Sequence, residues 1–428
     1  MIFSFIHISD IHLGRPFSDL TGFAFDENLK DLYNKAAEKA FSNFIDFALL
    51  KNVDFVLISG DTFDGNEQDF RSKLILKEGL KKLEKADITT IIICGNHDPI
   101  PAYNKNTFNF DEFSNIKIVG VNTDNCCKIT ICDKNNVPAA LVHALSYENN
   151  YFNENPVKYF SKAQGEEQSL FNIGLLHCDI NGNKDSSYAP CLTSELQSLN
   201  YDYWALGHIH IPEEISSNIQ YSGTIQGRNT KETGSHGIKY ITVENGHIIR
   251  NNFVPVDLIR FENISIDISS AKEITDAFSI IYDSVSDFIN KNSMQSPELF
   301  LLRLKLEGFI TFYNEINNEF YETISEKIKN DFNKAVYISD ILNGTKQKAD
   351  EKTFSEDDGI SGEIYRMLSD ENIYCAMDTV EKDIKNLLDY CNFSDNELQS
   401  FKNDIKNTIK EDCINLCNNI YYNESKEE

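Results

Sequence analysis

Five short apolar runs punctuate the first half of the chain: Ile2 to Ile8, Val53 to Ser59, Ile88 to Ile93, Phe171 to Leu176 and Tyr203 to Leu206. Runs of this length, closed by glycine or polar residues, read as buried strands. Helical stretches, Leu29 to Leu50 and Glu67 to Ala86, separate the first three, which is the alternation of an α/β sheet. A second set has hairpin character: Ile116 to Val119, Lys128 to Cys132, Ala139 to Ala144, Ile219 to Ser222, Gly237 to Val243 and His247 to Val254, with an Asn245-Gly246 turn joining the last two. Two mixed sheets packed face to face, with helices outside, accommodate both sets.

After Pro255 the pattern changes. Phe261 to Ile268 and Leu299 to Leu306 alternate, the second placing Leu302, Leu304 and Leu306 on one face and Arg303, Lys305 and Glu307 on the other. With helical stretches at 271–290 and 313–330 they predict a small α+β unit. Thr345 to Gly359 is polar and reads as a linker. A last helix opens with a capping-box pattern, Ser394 then Glu397, and carries Leu398, Phe401, Ile405, Ile409, Cys413 and Leu416 on one stripe, a face for its own domain or for a partner. The expected organisation is 1–259, 260–345 and 346–428, which suits 428 residues better than one core.

Composition narrows the class. No run of about 18 apolar residues exists, which removes a membrane-spanning helix. The apolar opening runs directly into charged residues without a basic segment or cleavage site, so it is read as a strand rather than a leader. The ten cysteines show no paired CxxC spacing and fall mostly in apolar segments, so a disulfide framework is not expected and the cytoplasm is the expected compartment. Net charge is −27. Residues 1–260 hold 23 basic and 33 acidic side chains (−10), and 261–428 hold 17 and 34 (−17), so the excess is concentrated in the tail.

The chemistry sits at strand ends. Asp10-Ile11-His12 follows the first run, where alternate residues of an extended segment would send both side chains to one ion. Gly60-Asp61-Thr62-Phe63-Asp64 follows the second run and Gly95-Asn96-His97-Asp98 the third; His177 ends the fourth, and Gly207-His208-Ile209-His210 follows the fifth. Seven candidate ligands (Asp10, His12, Asp61, Asn96, His177, His208 and His210) thus close five strands at the edge where open α/β sheets bind ligands. Imidazole with carboxylate suits Mn, Fe or Zn, whereas a calcium site takes oxygen ligands and a structural zinc site takes thiolates. Two metals need a shared carboxylate, and Asp61 is the expected bridge. Three further histidines read blandly: His7 as a packed core residue, His143 and His247 as ordinary strand residues.

These motifs resemble the calcineurin-like metallophosphoesterase superfamily. The resemblance implies a four-layer α-β-β-α sandwich, one ion on Asp10, His12, Asp61 and His210, a second on Asp61, Asn96, His177 and His208, and His97 as a separate histidine that assists the leaving oxygen. Asp98 is the carboxylate expected to orient His97. Further motifs, His12-Leu13-Gly14-Arg15-Pro16-Phe17 and Tyr221-Ser222-Gly223-Thr224-Ile225-Gln226-Gly227-Arg228 with Glu232-Thr233-Gly234 and Gly237, look like the YhaO branch of bacterial SbcD-type DNA repair nucleases. That branch implies two Mn2+ ions, DNA as substrate, a capping domain over 260–345, an SMC-like coiled-coil ATPase partner docked on the C-terminal helices, and a homodimer. Asp64 stands where archaeal and eukaryotic relatives have a second active-site histidine, although bacterial SbcD-type members also carry Asp there, and Ser235-His236 replaces the usual residues before Gly237. Arg228 and Glu232 read equally as a loop brace or as substrate contacts. The missing basic surface keeps two other readings open: a phosphodiesterase or phosphatase on small phosphates, and a non-catalytic scaffold.

Overall fold

The computed structural model describes residues 1–14, 27–64, 70–103, 113–120, 125–182, 186–292, 297–333, 335–348 and 359–369. Arg15-Pro16-Phe17 and the helix expected from Ser394 lie outside them. In chain order the first elements are β1 (Ile2–Ile8), α1 (Glu27–Lys51), β2 (Phe55–Ser59), α2 (Phe70–Lys85), β3 (Thr89–Ile93), β4 (Ile116–Ile118), β5 (Cys127–Cys132) and β6 (Pro138–Ala144). Next come β7 (Phe171–His177), α3 (Thr193–Ser198), β8 (Tyr203–Gly207), β9 (Glu213–Ser216), β10 (Ile219–Tyr221), β11 (Gly237–Glu244) and β12 (His247–Pro255). The rest are β13 (Ile259–Asp267), α4 (Ile274–Lys291), β14 (Leu299–Glu307), β15 (Phe309–Ile310), α5 (Asn318–Asp331), β16 (Val336–Asn343), β17 (Lys346–Gln347) and α6 (Ile360–Ser369).

Two six-stranded sheets form the front of the molecule, ordered β12-β11-β1-β2-β3-β4 and β5-β6-β7-β8-β10-β9. The strands that carry candidate chemistry, β1, β2 and β3 in one sheet and β7 and β8 in the other, run parallel to one another within each sheet. Within each sheet their carboxyl ends therefore emerge at one edge. Between the sheets lies an apolar layer built from Phe3, Phe5, Phe55, Leu57 and Ile91 on one side and Val142, Ile173, Leu175, Tyr203 and Ala205 on the other. Phe5 and Phe55 stack with centroids 4.9 Å apart, and Tyr203 meets Phe5 edge-on at 5.5 Å. Truncating such a fully enclosed ring costs about 3–5 kcal/mol.

The outer face of the first sheet is covered by α1 and α2. Ala40, Phe41, Phe44, Ile45 and Ala48 of α1 recur at helical spacing and meet Leu76, Leu80 and Leu83 of α2 over Ile6, Ile8, Val56, Ile58 and Ile92. On the far face of the second sheet the cover is thinner. The short helix α3 contributes Leu196, and loop residues Leu145, Tyr147, Phe160, Cys178 and Cys191 complete a layer over Leu176, Trp204, Leu206, Ile219 and Tyr221. The result is the expected α-β-β-α sandwich.

By compactness the chain divides into one unit of Met1–Ile264, Lys291–Arg303 and Ser325–Asp340 and another of Ser265–Asn290, Leu304–Ile324 and Ile341–Glu428. β13, β14 and β16 form a three-stranded sheet. In β14 Leu302, Leu304 and Leu306 are buried while Lys305 is exposed, so its alternation is real. α4 buries Ala277, Ile281 and Val285, a single stripe four residues apart. Within the segment expected as linker, β17 pairs in parallel with β15.

Candidate metal centre

Beyond Ile8 the chain continues alongside the segment that follows β2: the Asp10, His12 and Leu13 amides donate to the carbonyls of Gly60 (3.1 Å), Asp61 (2.9 Å) and Thr62 (2.9 Å). Asp10, His12 and Asp61 adopt left-handed backbone, with φ of 50°, 48° and 51°. That corrects the alternating-strand argument for Asp10 and His12. Both lie past the strand, and left-handed turns, costly for residues with a Cβ and concentrated at functional sites, bring them to a common point. Glycines let the two sheets close on that point. A Cβ on Gly95 would lie 2.2 Å from Asp61 Oδ1, and one on Gly207 would lie 2.1 Å from the Ser59 carbonyl and 2.8 Å from His177 Nδ1.

Ligand atoms converge in clusters within 4.8 Å: Asp10, His12 and His210; Asp10, Asp61 and His177; and His12, Asp64 and His97. His12 Nε2 lies 3.2 Å from His210 Nε2, 3.9 Å from Asp10 Oδ1 and 3.8 Å from Asp61 Oδ2. On the other side the same Asp61 Oδ2 is 3.4 Å from His177 Nε2, which is 3.0 Å from the Asn96 amide oxygen. One carboxylate oxygen therefore faces both groups. Asn96 and His208 approach from their own loops: the His208 amide donates to Asp10, and its ring lies 5.3 Å from that of His177, centroid to centroid. The His208 ring belongs to none of the close clusters found among the described residues.

The donor set fits divalent cations. Ligands about 2.1 Å from a shared ion sit roughly 3 to 4.2 Å apart, and each ligand-to-ligand distance above falls in that window. His177 Nδ1 is 2.8 Å from the Ser59 carbonyl and must donate to it, which leaves Nε2 as a lone pair aimed at two oxygens. Only a proton or a cation relieves that arrangement. Burial opposes charge on His177, yet the Asp61 carboxylate outweighs it and holds the imidazole up at about 9. Burial also presses on Asp61, but His177 and His12 keep its carboxyl well below the usual carboxylate range. Burial pushes His12 down to about 4, and burial with His177 does the same to His208. Ionised carboxylate and neutral imidazole are the metal-binding forms; Asp61, His12 and His208 are held in them, whereas the charged form that Asp61 favours on His177 carries a proton that a cation would displace.

His97 stands beside this centre, with its side chain 38% exposed and its ring 5.0 Å from that of His12. Its Nδ1 is 2.9 Å from Asp64 Oδ1, and the same oxygen is 3.3 Å from His12 Nδ1. Asp98 is not its partner. Fully buried, Asp98 accepts from the amides of Asp61, Thr62, Phe63 and Gly95 and from the Tyr103 hydroxyl, so it fixes the loops that present Asp61 and Asn96. The carboxylate on the His97 ring is Asp64, the last residue of the Gly60 to Asp64 motif.

A second residue gains a place at the centre. Glu232 Oε1 is 2.8 Å from His210 Nδ1, while Oε2 accepts the Arg228 amide at 2.8 Å. Burial would raise the Glu232 carboxyl, but His210 and Arg228 hold it down at about 2. His7 is a core residue, as expected, sealed between Tyr203 and the Leu206 carbonyl.

The sequence profile of the calcineurin-like phosphoesterase family matches residues 3–212, a span that contains all seven expected ligands and His97. The uncharacterized metallophosphoesterase YhaO of Bacillus subtilis is 27% identical over 331 residues, 76% of this chain and 78% of that protein. The DNA double-strand break repair protein Mre11 of Thermoplasma acidophilum is 23% identical over 314 residues, 72% of this chain and 77% of its own. Mre11 of Sulfolobus acidocaldarius is 30% identical over 210 residues, 48% of this chain and 49% of its own. Over residues 3–212 this chain carries the calcineurin-like metallophosphoesterase domain, and it is a metal-dependent phosphoesterase, a hydrolase.

Proposed function

We propose that the chain is a two-metal phosphodiesterase that cleaves DNA as the nuclease subunit of a repair complex, with Mn2+ as its metal. The observation that carries the two-metal reading is Asp61 Oδ2, 3.8 Å from His12 Nε2 and 3.4 Å from His177 Nε2. Asp10, His12, Asp61 and His210 would hold one ion; Asp61, Asn96, His177 and His208 the other. When bound, the pair supplies Lewis acidity that polarises the phosphoryl group and lowers the pKa of water. The chain's own residues do the rest. Asp64 accepts from His97 Nδ1 and fixes the ring, and in the doubly protonated imidazolium that the carboxylate favours, Nε2 carries a second proton for the departing oxygen. Asp98 holds the Asp61 and Asn96 loops to their geometry.

DNA as substrate is supported by the Mre11 relatives, which are named as DNA double-strand break repair proteins. Net charge of −27 opposes it, since phosphate backbones are bound through Lys and Arg. We assign the missing basic surface to an SMC-like ATPase partner docked on residues 346–428, with 260–345 as a capping domain and the assembly a homodimer in the cytoplasm. The same charge favours a second reading, hydrolysis of small phosphodiesters, which needs no basic surface. The test is a nuclease assay with Mn2+, on the chain and on its complex, beside bis(p-nitrophenyl) phosphate hydrolysis. Wild type should degrade DNA and His97→Ala should lose about 10²–10⁴-fold in kcat. Hydrolysis of the small diester with DNA left intact would select the second reading.

A further inference from the structure

The loop between β10 and β11 touches the metal centre at several points. Thr224 Oγ1 donates to the Asp10 carbonyl at 2.6 Å, and the Thr224 amide donates to the His210 carbonyl at 2.9 Å. The backbone of two expected ligands is thus held by one residue. Further along, the Glu232 amide donates to the Asn229 carbonyl at 3.0 Å, a tight turn, and His236 Nε2 lies 3.1 Å from the Glu232 carbonyl. The Glu232 side chain is 13% exposed.

The two Glu232 oxygens do different jobs. Oε2 closes the turn on the Arg228 amide, and that bond alone would suffice for a loop brace. Oε1 reaches away from the loop to His210 Nδ1 at 2.8 Å. A carboxylate only accepts, so this contact keeps the His210 proton on Nδ1 and leaves Nε2 bare. That bare Nε2 is the atom 3.2 Å from His12 Nε2 and 3.9 Å from Asp10 Oδ1. Arg228 Nη2, 3.2 Å from His210 Nδ1, stands on the same side and cannot be served by a nitrogen that already carries a proton.

We propose that Glu232 is the positioning residue of the metal centre, fixing the tautomer and ring orientation of His210 so that its Nε2 is presented to the ion shared with His12 and Asp10. This rests on the two-metal reading. A glutamine at the position still braces the turn, because its amide oxygen can accept the Arg228 amide, but its NH2 then faces His210 Nδ1 as a donor and drives the His210 proton to Nε2. Removing such a partner typically weakens metal binding about 10–100-fold.

The test follows melting temperature against Mn2+ concentration for metal-free wild type, E232Q, E232D and D61N. E232Q should melt like wild type without metal, yet need about 10–100-fold more Mn2+ for half-maximal stabilisation. E232D, which keeps an acceptor-only group, should recover part of that loss. Equal Mn2+ dependence of E232Q and wild type, with a weaker response in D61N, would overturn the inference alone. A lower metal-free melting temperature in E232Q with unchanged Mn2+ dependence would reduce Glu232 to a brace. Wild type without any Mn2+ response, like D61N, would instead overturn the two-metal reading and this inference with it.

Discussion

Asp64 and Asp98 divide between them the work that one carboxylate was expected to do. Asp98 adjoins His97 in sequence, yet its oxygens are taken by four backbone amides and a tyrosine hydroxyl, whereas Asp64 reaches His97 Nδ1 at 2.9 Å. Asp64→Asn should therefore lower kcat by about 10²-fold with KM little changed, because the amide no longer fixes the His97 ring. Steady-state kinetics on a small diester check this, and an effect on KM alone would contradict it. Residue types and spacings make the ligand set legible, since chance does not readily end five apolar strands on His, Asp or Asn at a common edge. Pairings such as Asp64 with His97 or Glu232 with His210 are not legible, because they join distant segments and depend on the direction of each side chain.

Among the elements, the strands buried on both faces are readable because apolar runs closed by glycine have little alternative. β9 escapes such a reading: Glu213 and Glu214 are exposed, and a charged edge strand carries no apolar alternation. β16 escapes it because Val336, Tyr337, Ile338 and Ile341 do not alternate. The left-handed turns at Asp10, His12 and Asp61 also have no glycine at those positions to announce them. Between the two sheets, His7 on β1 bonds Tyr203 and the Leu206 carbonyl of β8. Burial pushes His7 down to about 3 from 6.5. Between those values the unfolded chain takes up a proton that the folded chain refuses, so stability falls as pH drops through the window. The contribution is about 1.4 kcal/mol per pH unit at most. Urea unfolding between pH 7 and pH 4 should show a shallower acid-side loss in His7→Gln than in wild type; parallel curves would contradict the assignment.

For the whole molecule, the domain with its metal-ligand clusters and the strongly acidic composition pull in different directions. Net charge is −27 with the greater share after Arg260, so the tail rather than the centre carries most of the excess. Among the described residues no helix is long and apolar enough to cross a membrane, and the cysteines of the front unit, Cys94, Cys126, Cys127, Cys132, Cys178 and Cys191, are unpaired with one another. Ions that bind only the folded chain add to its stability by mass action. The most direct test of the bridged centre is the metal content of the purified chain after Mn2+ loading, in wild type and in Asp61→Asn. Two ions per chain in wild type, falling to one or none in Asp61→Asn, is the expected result; a single ion in wild type, or two retained without the Asp61 carboxylate, would contradict a centre bridged by that residue.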